Sequence, residues 1–90
     1  MRKKVLIVDD SKFNREMLRD ALSDEYETAE AGNGVEALEY IEAHRAELVA
    51  VLLDIVMPEM DGVELLKILN EKEYMDTFPV ITVTAEQPAS

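Results

Sequence analysis

The sequence predicts an α/β fold: a parallel sheet whose strands alternate with helices, in the order βαβαβαβ. Three observations carry this. Two short runs, Val5-Leu6-Ile7-Val8 and Leu48-Val49-Ala50-Val51-Leu52-Leu53, are apolar at every position. Runs without polar alternation suit strands buried on both faces, as parallel strands are. The stretches between strand candidates repeat apolar residues at helical spacing, which fits right-handed crossover helices. Acidic residues close both runs, Asp9-Asp10 the first and Asp54 the second. In an open sheet of this kind, functional groups gather beyond the carboxyl ends of the strands.

The elements follow in order. After Val5–Val8, Ser11 is placed to cap a helix from about Lys12 to Leu22. Phe13, Met17, Leu18, Ala21 and Leu22 give that helix one apolar face. Core packing is the expectation for Met17. For Phe13, one turn from the acidic pair, packing and docking of a partner's helices are equally matched. Tyr26–Ala31 reads as a second strand, and its charged Glu27 and Glu30 place it at a sheet edge. Gly32-Asn33-Gly34 is a turn signal. Val35, Leu38 and Ile41 mark a second helix ending near His44, which reads as a surface residue beside the helix dipole. Leu48–Leu53 is the candidate central strand, and Ile55–Gly62 a loop shaped by Pro58 and Gly62. A third helix runs to about Glu71, with Val63, Leu65, Leu66, Ile68 and Leu69 on its buried side. Phe78-Pro79 breaks the chain before a fourth strand, Val80–Thr84; Ala85 to Ser90 are too few for another element.

Composition bounds the function. At 90 residues the chain is one small domain or part of one. Hydrophobic residues make up 48% and charged ones 32%, a globular balance that argues against disorder. There is no cysteine and a single histidine, His44, which excludes thiol catalysis, disulfides and multi-histidine metal sites within these residues. The net charge of −11 disfavours binding to nucleic-acid backbones or anionic membranes. No apolar run approaches the ~18 residues of a membrane span, and Val5–Val8 is too short for a signal-peptide core. A cytoplasmic location is the expectation.

If the first and third strands are neighbours, Asp9, Asp10 and Asp54 converge at one end of the sheet. Carboxylates packed together raise one another's pKa, and a divalent cation relieves that cost. Oxygen donors without nitrogen or sulfur select a hard ion, and a partly hydrated octahedral site suits Mg²⁺. Each aspartate also has a separate structural explanation, as a turn residue, a helix N-terminal charge and a loop-starting residue. Their shared position at the strand ends favours the joint reading.

Val5-Leu6-Ile7-Val8-Asp9-Asp10 and Val51-Leu52-Leu53-Asp54-Ile55-Val56-Met57-Pro58-Glu59-Met60-Asp61-Gly62 resemble the signature segments of bacterial response-regulator receiver domains. Phe78-Pro79-Val80-Ile81-Thr82-Val83-Thr84-Ala85 resembles the family's fourth strand, so the likeness runs from residue 4 to about residue 86. It implies a flavodoxin-like sheet and a two-component signalling role. Asp54 matches the phosphoacceptor, which takes a phosphoryl group from a histidine kinase or phosphotransfer protein. Asp10 matches the direct Mg²⁺ ligand and Asp9 the acid that holds the ion through water. The Val56 carbonyl completes the protein ligands. Thr84 matches the switch hydroxyl, and Ala85 is the small residue whose backbone approaches the phosphoryl group. The domain is then a switch with no turnover on a diffusible substrate. Met57 and Met60 are expected to pack, and Asp61 to cap the third helix.

The family ordinarily continues with a fourth helix, a fifth strand ending in a lysine, and a fifth helix. Residues 1–90 therefore read as the N-terminal portion of a receiver domain, β1 through β4, and no lysine follows Lys72. Impaired phosphotransfer and self-association through an exposed fourth strand are the expectations. Two alternatives stand beside the switch. One is an inert interaction or assembly module on the receiver framework. The other is a haloacid-dehalogenase-type phosphohydrolase, which wants a general acid two residues after its nucleophile, where this chain has Val56.

Overall fold

The structure is a computed structural model and describes residues 3–54, 62–72 and 78–83. Its elements are β1 (Lys3–Val8), α1 (Lys12–Leu22), β2 (Tyr26–Ala31), α2 (Gly34–His44), β3 (Leu48–Asp54), α3 (Gly62–Glu71) and β4 (Val80–Val83). The strands form one sheet in the order β2-β1-β3-β4, and every pairing is parallel. This is the flavodoxin-like order, with its switch point between β1 and β3. The two strands without polar alternation are the central ones. The charged alternation of β2 sends it to the edge, as its sequence predicts.

The two sheet faces are unequally covered. Period-2 alternation turns Leu6 and Val8 of β1 and Val51 and Leu53 of β3 to one side. There they meet Ala37 and Ile41 of α2, Leu65 and Leu69 of α3, and Phe78 before β4; each is at most 2% exposed. This is the hydrophobic core. Among the described residues, the opposite face carries one helix, α1, which rests on β1 and β2. None of α1's residues is buried, and Phe13 and Met17 are 71% and 54% exposed. Core packing by Met17 is therefore corrected: among the described residues no element covers its position on the apolar face of α1. Beside α1 an apolar groove of about 280 Å³ opens, lined by Val5, Leu22, Tyr26, Ala50, Leu52 and Ile81.

Side-chain caps start the first two helices. The Ser11 hydroxyl accepts the Asn14 N–H at 3.3 Å. In the turn before α2, Asn33 Oδ1 accepts the Glu36 N–H at 2.9 Å, and Glu36 Oε1 reaches back to accept the Gly32 N–H at 2.8 Å. This reciprocal cap is a variant of the capping box, and a cap of this kind contributes about 0.5–2 kcal/mol. The sequence signals a turn here, and the structure adds the helix start that the asparagine supplies.

At the far end of the sheet from the aspartates, Lys4 Nζ lies 3.4 Å from Glu27 and 3.8 Å from Glu47. His44 Nδ1 donates to Glu47 Oε2 at 2.9 Å, and its ring stacks on Tyr40 at 4.3 Å. The hydrogen bond from His44, then the charge of Lys4, hold the Glu47 carboxyl below the usual carboxylate range. The cluster is exposed, so its contribution to stability is small.

Candidate functional site

The β1–β3 register builds the site. Val8 pairs with Leu53, so the next residues, Asp9 and Asp54, stand side by side at the carboxyl end of the sheet. Asp9 is 4% and Asp54 7% exposed, while Asp10 faces solvent. One carboxylate oxygen from each of the three lies within 4.8 Å of the others. Among the described residues this is the one acidic group with metal-ligand spacing. Two of the three charges are taken out of water, which is costly unless a counter-charge is present. The donor set is all oxygen, with one exposed carboxylate open to water-bearing ligands, and that fits a hard, partly hydrated divalent cation.

Asp9 is held by its surroundings at three points. Its N–H donates to the Ala31 carbonyl at 3.1 Å, continuing the β1–β2 ladder past the end of β1. Its Oδ1 accepts the Ser11 N–H at 2.9 Å, a local turn that leads into α1. Its carbonyl accepts Arg15 Nη1 at 2.6 Å. Arg15 was not legible as a site residue from sequence. The available signal was its spacing, four residues beyond the Ser11 cap, which returns it to the helix face above the strand end.

The structure brings Asp9, Asp10 and Asp54 together. Val56, Thr84 and Ala85 lie outside the described residues, as do Met57, Pro58, Met60 and Asp61. β4 reaches the level of the site, since Val83 pairs with Asp54. No described helix is long and apolar enough to cross a membrane.

Comparison with known proteins adds an independent line. The profile of the response regulator receiver domain family matches residues 5–90. The polar-differentiation response regulator DivK of Brucella anthropi is 41% identical over 86 residues, spanning 94% of this chain and 68% of that protein. Among solved structures, the chemotaxis response regulator CheY4 of Vibrio cholerae aligns at a TM-score of 0.85 with 32% identity, covering 98% of this chain and 72% of that one. A CheY-like receiver domain protein of Methanospirillum hungatei aligns at 0.83 with 25% identity, covering 100% and 71%. A profile match over nearly all of the chain, on a sheet wound in the same strand order, leads to one conclusion: the chain belongs to the response regulator receiver domain family, the phosphoacceptor switches of two-component signalling.

Proposed function

We propose that Asp54 is the phosphoacceptor, charged by a histidine kinase or phosphotransfer protein, with Asp9, Asp10, Asp54 and the Val56 carbonyl as the ligands of Mg²⁺. The observation that carries this reading is the convergence of the three carboxylates within 4.8 Å at the β1–β3 switch point. An Asp54 carboxylate oxygen attacks phosphorus as the bond to the donor's phosphohistidine nitrogen breaks, and the electron pair leaves with the imidazole. Bound Mg²⁺ supplies charge neutralisation on the transferring phosphoryl oxygens. Asp9 and Asp10 orient and balance charge, so catalysis is mostly positioning. Thr84 donates its hydroxyl to a phosphoryl oxygen, and Ala85 leaves room for its own backbone to approach. Phe13 and Met17, exposed on the helix that follows the Asp9–Asp10 pair, are the contact for the donor's helices.

Residues 1–90 act in this reading as a cytoplasmic switch without substrate turnover, the N-terminal portion of a receiver domain. Labelling with acetyl phosphate in the presence and absence of Mg²⁺ tests it. Mg²⁺-dependent gain of one phosphoryl mass is the expected result. Failure of the chain to label would overturn the reading.

A second reading, an assembly module on the same framework, is favoured by one observation. β4 is an edge among the described strands, and its Ile81 is 49% exposed beside the apolar groove. The partner it fits is a second copy of the chain, added strand to strand. Sedimentation should show dimers at tens of micromolar; a stable monomer there would remove this reading.

A further inference from the structure

We propose that Arg15 is a positioning residue for the acidic pocket: anchored on Glu30 of β2, its guanidinium grips the Asp9 carbonyl and holds the Asp9–Asp10 pair in place for the cation. The inference rests on the reading of that pocket as a divalent-cation site.

The connection between β1 and α1 needs such a device. α1 fully buries none of its residues, so apolar packing fixes only in part where the helix, and the loop leading into it, sits. Polar contacts take over that role. The Asp9 carbonyl belongs to the peptide that joins Asp9 to Asp10, and Arg15 Nη1 holds its oxygen at 2.6 Å. The same guanidinium donates from Nε to Glu30 Oε1 at 3.1 Å. Arg19 Nη1 lies 3.7 Å from the other Glu30 carboxylate oxygen, a longer and more exposed contact than that of Arg15. The Arg15 side chain is only 17% exposed, so its fork is well shielded. A planar guanidinium can serve both acceptors at once; a lysine ammonium at the same position has no such fixed fork.

The sign of the effect separates positioning from simple charge. A cation bonded to the Asp9 carbonyl, close to an acidic pocket, repels a metal ion there, so by Coulomb's law alone its removal tightens Mg²⁺ binding. Loss of positioning weakens it. The test is an amide NMR titration with MgCl₂, in which peak dispersion reports folding and shifts at Asp10 and Ser11 report binding. Arg15→Gln, which removes the charge, and Arg15→Lys, which keeps it, should both raise the Mg²⁺ dissociation constant about tenfold, as loss of groups that orient metal ligands does. Arg19→Gln, which touches Glu30 but not Asp9, should leave it unchanged. Glu30→Gln should weaken binding by a smaller factor, and it decides the question if Arg15→Gln does not fold. Folded Arg15→Gln or Glu30→Gln binding Mg²⁺ as tightly as the unaltered chain, or tighter, would overturn the inference alone. Absence of Mg²⁺ binding by the unaltered chain would overturn the pocket reading and the inference with it.

Discussion

Asp54→Asn is expected to abolish phosphoryl labelling while leaving the chain folded. Asparagine matches aspartate in shape but offers no anionic oxygen to attack phosphorus. Loss of a nucleophile of this kind lowers the rate by at least about 100-fold. The stability effect should run the other way. Asp54 is 7% exposed and shares a 4.8 Å cluster with two further carboxylates, so in the absence of metal its neutralisation removes like-charge repulsion. The melting temperature without Mg²⁺ should therefore hold or rise. Mass spectrometry after acetyl phosphate treatment and a thermal melt check both halves. Labelling at the unaltered level would move the phosphoacceptor elsewhere, and a sharply lowered melting temperature would show that Asp54 serves the fold.

The largest expected effect on stability comes from Phe78→Ala. Phe78 is 2% exposed and leads the fully buried side chains by volume. It belongs to the buried cluster that includes Leu65 and Leu69 of α3 and Val51 and Leu53 of β3, and the next residue, Pro79, accepts the Val51 N–H through its carbonyl at 3.0 Å. Truncating a buried phenylalanine costs about 3–5 kcal/mol. Domain stability runs at about 0.05–0.15 kcal/mol per residue, and chains this short lie toward the lower end because they bury less surface. The substitution should therefore remove most of the stability and loosen β3, the strand that ends in Asp54. Urea unfolding measures this, with Ile81→Ala as the exposed comparison. Equal midpoints for Phe78→Ala and the unaltered chain would place the ring outside the core.

Particular residues show what could be read in advance. The unbroken apolar runs of β1 and β3 identify them as central strands, because only a strand covered on both faces tolerates apolar side chains at every position. Ser11 marks the start of α1, and the charges of Glu27 and Glu30 mark β2 as an edge. The neighbouring positions of Asp9 and Asp54 follow from those two central strands. By contrast, Met17 on the apolar face of α1 reads as core and is 54% exposed. Helical periodicity records which residues share a face and carries nothing about what covers it. Asn33 reads as a turn residue and also caps α2, since a cap depends on where the following backbone N–H groups point.

The sequence by itself determined the order of the elements, the class of sheet and the aspartates that meet at its end, because those depend on local patterning and on the alternation of side chains along a strand. Only the tertiary structure decided the 4.8 Å spacing of the trio, the unequal covering of the sheet and the Arg15 link from β2 to the acidic pair. Each of these depends on groups distant in sequence being brought together at hydrogen-bond range, and residues fifteen apart, such as Arg15 and Glu30, leave no periodic trace by which to pair them.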